Sequence, residues 1–220
     1  MRKQVVDLDR FVRELKKARK KSQAPVITLI ANRGATPFEI LASTLLSLRT
    51  KDAVTDAAAR RLLAVANTPK GIAALPAQKI EKLIYPVGFY PTKAKRLIEI
   101  SRILLERHDG RVPDEMEALL ALPGVGRKTA NLVLIEGFGK DGICVDTHVH
   151  RISNRTGVVT TRTPEETEFA LRKTLPKKHW KPYNELLVSY GQTVCVPVSP
   201  FCSRCPVEAE CPKQDVTRSR

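Results

Sequence analysis

Apolar residues recur at helical spacing along most of this chain, and alternating patterns that would form strands are scarce. Asp7 to Lys21 reads as a basic, amphipathic helical run, and a loop follows from Pro25 to about Thr36. Thr36-Pro37-Phe38-Glu39 has the form of a capping box with proline at the first helical position. It predicts a buried helix from Phe38 to Leu48. Further helices are predicted over Asp52–Ala66, Pro76–Leu83, Thr92–His108, Pro113–Ala121 and Arg127–Gly137. Gly88 and Pro91 break the chain before the run that starts at Thr92. After Gly142 comes a short apolar stretch, then Asp146 as N-cap of a helix through Arg155. Thr163-Pro164-Glu165-Glu166 starts another helix, and Lys181 to Val194 forms the last long one. Cys195 onward reads as loop, with the final Thr217-Arg218-Ser219-Arg220 frayed. The fold class expected is all-α, with no internal repeat.

The 220 residues suffice for one large or two small domains, and the 42 % hydrophobic content suffices for a core. With 38 Lys and Arg against 23 Asp and Glu, the net charge of +15 fits a polyanionic partner. No run of 18 apolar residues is present, so no membrane span or membrane partner is expected. The segment MRKQVVDLDRF lacks the apolar core of a secretion signal. An intracellular location follows: cytoplasmic and nucleoid-associated in a prokaryote.

The most informative stretch is Leu122–Ala130, LPGVGRKTA. It reads as a glycine-punctuated hairpin between two helical runs. Gly124 and Gly126 can take positive φ and leave backbone N–H groups bare. The helix restarting near Arg127 aims its positive end at the same place. Together these features make a phosphate seat, with Lys128 in the first turn above it. Asp146 follows Lys128 by eighteen residues. An amine held over a nucleic-acid backbone points to covalent chemistry on a sugar. On the hairpin alone, plain DNA binding is the simpler reading.

Four of the five cysteines crowd the C-terminus as Cys195-x6-Cys202-x2-Cys205-x5-Cys211. In an intracellular protein such a cluster means metal rather than disulfides. The spacing leaves both zinc and a [4Fe–4S] cluster open, because only one Cys-x2-Cys knuckle is present. Cys144 stands apart and reads as a small buried hydrophobe.

LPGVGRKTANLVL, VDTHVHRISNRTG and the cysteine cluster occur in that order. Together they resemble the endonuclease III family of DNA base-excision glycosylases, within the helix-hairpin-helix superfamily. The likeness runs from about Pro37 to Pro212. It implies two helical domains flanking a DNA-binding cleft, with a C-terminal iron–sulfur cluster loop. One would be a six-helix domain over 31–140, and the other would join 1–30 to 141–220. It implies a [4Fe–4S] cofactor on Cys195, Cys202, Cys205 and Cys211. Lys128 would be the catalytic nucleophile and Asp146 the essential carboxylate. The hairpin residues Leu122, Gly124, Val125 and Gly126 would seat the DNA backbone.

Two segments match more loosely. Arg49, in LLSLRTKD, occupies the place of the residue that fills the gap left by an extruded base, where better-known members carry glutamine. Phe89, in GFYPTKAKR, stands where an apolar wedge is expected. The loop Val196–Phe201 has no charge, whereas relatives carry basic residues there. Arg151, Arg155 and the Lys177–Lys178 pair are therefore alternative phosphate contacts.

The resemblance implies a monomeric, bifunctional glycosylase and abasic-site lyase acting on oxidised pyrimidines in double-stranded DNA that carries a damaged base or abasic site. Two alternatives are a mismatch glycosylase removing uracil or thymine opposite guanine, and a non-catalytic DNA-binding module. Lys128 argues against a purely hydrolytic enzyme, and Lys128 with Asp146 argues against a non-catalytic module.

Overall fold

The computed structural model describes residues 7–19 and 24–220, and every regular element among them is helical. The helices run α1 (Leu8–Arg19), α2 (Val26–Ala31), α3 (Pro37–Ser47), α4 (Asp52–Val65), α5 (Pro69–Ala73) and α6 (Ala77–Ile84). They continue as α7 (Tyr90–Arg107), α8 (Met116–Leu120), α9 (Arg127–Phe138), α10 (Thr147–Arg155), α11 (Pro164–Thr174) and α12 (Trp180–Thr193). The end of the run predicted to Lys21, and the first six residues of the MRKQVVDLDRF segment, lie outside the described residues. No described helix is long and apolar enough to cross a membrane.

The chain forms two compact units, Val26–Lys140 and Met1–Pro25 with Asp141–Arg220. The division falls at Pro25 rather than at the predicted 30. The reason is α2, which lies where a loop was predicted. Its Val26, Ile27 and Ile30 are buried with the α3 and α4 residues of the first unit, and Asp52 Oδ2 accepts from the Val26 N–H at 3.1 Å. Six residues are too few to display a helical period, and continuous apolar runs of this length are ambiguous from sequence.

Within Val26–Lys140, α3 is the central element. Thr36 Oγ1 accepts from the Glu39 N–H at 3.3 Å, and Glu39 Oε2 accepts from the Thr36 N–H at 2.7 Å. This reciprocal cap fixes where α3 begins, worth about 1 kcal/mol in typical cases. Beyond the cap every residue from Ile40 to Leu46 is buried. Each large aliphatic side chain taken out of water this way contributes roughly 1.5–3 kcal/mol. α3 packs against α4, α7 and α9. The segment between α8 and α9 is pinned to the same core by Leu119, Leu122, Val125, Ala130 and Val133.

The second unit draws on both ends of the chain. Phe11, Val12 and Leu15 of α1 are buried with Ile143, Val149, Ile152, Tyr183 and Leu187. Asp9 adds a polar tie, with Oδ1 at 2.6 Å from His179 Nε2 and 2.9 Å from Lys178 Nζ. Lys178 and then His179 hold the Asp9 carboxyl well below the usual carboxylate range, at about 2. Arg10 also pairs with Glu210. The C-terminus is not frayed as the sequence suggests. The Arg220 N–H donates to Pro200 O at 2.8 Å, Arg220 O accepts from the Ser203 N–H at 3.0 Å, and the guanidinium lies 3.9 Å from the Phe201 ring centroid. A polar terminal tetrapeptide is ordered here by partners far away in sequence.

Candidate active site and cysteine centre

Leu122 and Val125 are 2 % and 6 % exposed, with side chains that anchor the hairpin to the core. Their expected part in seating the DNA backbone therefore cannot be played by these side chains. Any contact at these two positions has to come from the backbone. The Val125 N–H donates to Leu122 O at 3.1 Å, closing the turn. Gly124 has φ +74°. That conformation favours glycine, and a Cβ there would also displace the Arg96 side chain, whose Nη1 would lie 2.1 Å away. Gly126 does not take the positive φ expected of it. It is the extended N-cap of α9, with φ −97° and ψ 176°. A Cβ there would meet nothing within 4 Å.

Lys128 is exposed in the first turn of α9, just after this hairpin. Asp146 caps α10 in the other unit, and its Oδ1 accepts from the His148 and Val149 N–H groups at 2.9 Å each. The apolar stretch before it, Gly142–Val145, is buried. This fixes the chain on one side of the carboxylate and the helix fixes it on the other. Cys144 is buried, as read from the sequence, and its carbonyl accepts from Asn184 Nδ2 at 2.9 Å.

Arg49 and Phe89 lie on two turns that meet. Both residues adopt the left-handed region, at φ 55° and 59°, which non-glycine residues seldom occupy. The Gly88 N–H donates to Thr50 Oγ1 at 3.1 Å. A Cβ on Gly88 would fall 2.7 Å from Arg49 O, so the turns can approach this closely only with glycine. The Arg49 guanidinium lies 5.1 Å from the Phe89 ring centroid, within cation–π range. Phe89 is 60 % exposed. A large aromatic ring held out in water under a guanidinium is not core packing.

Arg151 and Arg155, expected as phosphate contacts, bond to carbonyls within the protein instead. Arg155 is 8 % exposed. Its guanidinium donates to Val196 O at 2.8 Å and Pro197 O at 2.6 Å, and Nη1 stands 3.5 Å from Cys195 Sγ. Arg151 Nη2 donates to Cys195 O at 2.9 Å and Gly191 O at 3.2 Å. Both cations are spent on the cysteine loop, so their expected phosphate contacts give way to a role in loop support. Gly191, which the sequence does not single out, makes room for this. A Cβ there would stand 2.4 Å from His148 Nδ1 and 2.9 Å from Arg151 Nη2. Of the lysine pair, Lys178 is engaged with Asp9 and Lys177 lies 5.8 Å from the Trp180 ring centroid.

Cys195, Cys202, Cys205 and Cys211 line one pocket with Phe11, Ile152, Tyr190 and Val207. Burial is the largest cause pushing the Cys205 and Cys211 thiols up. Tyr190 OH donates to Cys205 Sγ at 3.1 Å. Four thiolates in such surroundings repel one another and need a positive centre between them. Donors aimed at sulfur from Tyr190 and Arg155 suit sulfur ligands that carry negative charge. The donor set therefore fits a sulfur-ligated metal centre. Among the described residues, no three or more His, Cys, Asp or Glu side chains, the four cysteines included, stand close enough together to hold a single metal ion as placed.

This all-helical scaffold, with its hairpin, aspartate N-cap and four-cysteine pocket, is that of a DNA-repair glycosylase by its match to known proteins. Residues 42–177 match the model of the HhH-GPD superfamily of base excision DNA repair proteins. The chain is 52 % identical to endonuclease III of Thermotoga maritima over 175 residues, which is 80 % of this chain and 82 % of that protein. It is 40 % identical to endonuclease III of Escherichia coli K12 over 177 residues, 80 % of this chain and 84 % of the relative. It is similar to a solved structure of a trapped endonuclease III–DNA covalent intermediate, with TM-score 0.82, 32 % identity and coverage of 93 % and 94 % of the two chains. A thermostable thymine-DNA glycosylase shares the fold at TM-score 0.74 and 24 % identity, over 92 % of this chain and 97 % of that one. The chain belongs to the endonuclease III family of base-excision DNA glycosylases and abasic-site lyases.

Proposed function

We propose that this enzyme is a bifunctional N-glycosylase that removes oxidised pyrimidines from duplex DNA through a Schiff base on Lys128. The observation that carries the reading is the exposed Lys128 amine in the first turn of α9, directly after a hairpin that turns through Gly124 at φ +74°. Unprotonated Nζ attacks C1′ of the damaged nucleotide, and the C1′–base bond breaks with its electron pair leaving on the base, which takes up a proton. Loss of a proton from nitrogen as the sugar ring opens gives the iminium form. Removal of a C2′ proton then expels the 3′ phosphate by β-elimination, and water releases the lysine. Asp146 stabilises positive charge developing on the sugar and assists proton transfer. Gly124, Gly126 and the start of α9 seat the phosphate backbone. Arg49 and Phe89 enter the stack where the base has left.

The four cysteines would hold a [4Fe–4S] cluster. Bound there, the group would tie the Cys195–Cys211 segment into one piece, alongside the contacts from Arg155, Tyr190 and Arg220 to the same segment. Purified protein is expected to be yellow-brown with about four irons per chain. One zinc per chain without iron in anaerobically prepared protein would replace the cluster with a mononuclear site.

The substrate is tested with single-lesion duplexes. Strand cleavage at oxidised pyrimidines is expected to exceed that at uracil or thymine opposite guanine. Base removal from the mismatches alone, leaving uncut abasic sites, would overturn the reading in favour of a hydrolytic mismatch enzyme.

A further inference from the structure

One buried cation near the Arg49 and Phe89 turns has no part in the chemistry above. Lys93 is 9 % exposed on α7. Its Nζ donates to Leu46 O at 2.8 Å, Leu48 O at 2.5 Å and Thr50 Oγ1 at 3.3 Å. Three donors thus meet three acceptors where α3 ends and the Arg49 turn begins. Leu46 O belongs to the last turn of α3, where carbonyls lack intrahelical partners and the helix dipole favours a cation. Thr50 Oγ1 in turn accepts from the Gly88 N–H. The Lys93 N–H donates to Phe89 O at 3.0 Å, opening α7 beneath the aromatic ring.

One side chain therefore ties the turn carrying Arg49 to the turn carrying Phe89. Arg96, one helical step further along α7, lies against Gly124 of the hairpin. Leu45, Leu48, Phe89, Lys93, Arg96 and Gly124 border one small pocket. Burial pushes the Lys93 amine down to about 8. An apolar side chain could fill the same space without that desolvation. Only an ammonium also supplies three donors to the two turns.

We infer that Lys93 is a positioning residue that locks the Arg49 and Phe89 turns together, so that both side chains are preset to enter a duplex at a lesion. This rests on the reading of Arg49 and Phe89 as the groups that enter the stack. Both residues sit in the left-handed region, so their conformations persist only if the surroundings enforce them. A preset pair loses little conformational freedom on binding. Lys93 thus favours lesion DNA over intact duplex without touching either.

The test is a double-mutant cycle on lesion preference, taken as the affinity for a duplex with a tetrahydrofuran abasic analogue divided by that for the undamaged duplex. Arg49→Ala is expected to lower this ratio. Lys93→Met keeps the stem and removes the donors, and should lower the ratio about tenfold, the scale of one or two lost hydrogen bonds. The double variant should be little worse than either single one, because both act through one element. An unchanged ratio in Lys93→Met, or losses that multiply, would overturn the inference while leaving Arg49 as a stack-filling group. An unchanged ratio in Arg49→Ala would remove the reading beneath it. Thermal unfolding of each variant separates these results from misfolding. If Lys93→Met does not fold, Thr50→Ala takes its place in the cycle with the same outcomes: it removes the acceptor shared by Lys93 Nζ and the Gly88 N–H and leaves the lysine its bonds to Leu46 O and Leu48 O.

Discussion

Lys128→Gln is expected to abolish both borohydride trapping and strand cleavage on lesion-bearing duplex, while folding and DNA binding stay near wild type. Borohydride reduces an imine to a stable amine, so a trapped adduct requires a nitrogen nucleophile. Glutamine has a helix propensity close to that of lysine. Lys128 is exposed in the first turn of α9, and the hairpin before it is anchored by the buried Leu122 and Val125 and turns at Gly124. Surface changes of this kind usually fall within about 0.5 kcal/mol of neutral. The chemical loss is of another order. Nothing in an amide side chain can form the covalent intermediate, so a step worth many powers of ten in rate has no path. Trapping by the Lys128→Gln protein at the wild-type level would mean that another amine attacks C1′.

Local chemistry was the legible part of this chain. The Thr36–Glu39 capping box, the Asp146 cap and the Thr163-Pro164 helix start all lie where the sequence places them, because each is written within four residues. Helices α2 and α5, of six and five residues, escaped notice because neither is long enough to show a period. The hairpin was legible as a turn, but not in its division of labour. Nothing local says that Leu122 and Val125 face the core, or that only one glycine needs positive φ. The basic residues were the least legible. Arg151 and Arg155 look like phosphate contacts in a chain of net charge +15, yet their partners are carbonyls some forty residues later. Lys93 has the same property, with its acceptors some forty-five residues earlier. Long-range hydrogen bonding decides whether a cation faces solvent, and spacing carries no trace of it.

Asp146→Asn separates the cap role of this carboxylate from the catalytic role proposed for it. Oδ1 accepts from two N–H groups at the start of α10, and asparagine caps helices about as well as aspartate. The loss of negative charge beside the helix N-terminus should cost only about 0.3–1 kcal/mol of stability. Base release is a different matter. A fixed charge facing a developing sugar cation, or a group that moves a proton there, contributes roughly 10²–10⁴ in rate. Single-turnover base excision by Asp146→Asn is therefore expected to slow by that factor, with little change in the unfolding midpoint. Asp146→Ala should lose both, because it removes the cap as well, typically about 1 kcal/mol. Single-turnover excision by Asp146→Asn within about threefold of wild type, below the contribution of a working acid–base group, would leave Asp146 as a helix cap alone and pass the charge stabilisation to another group.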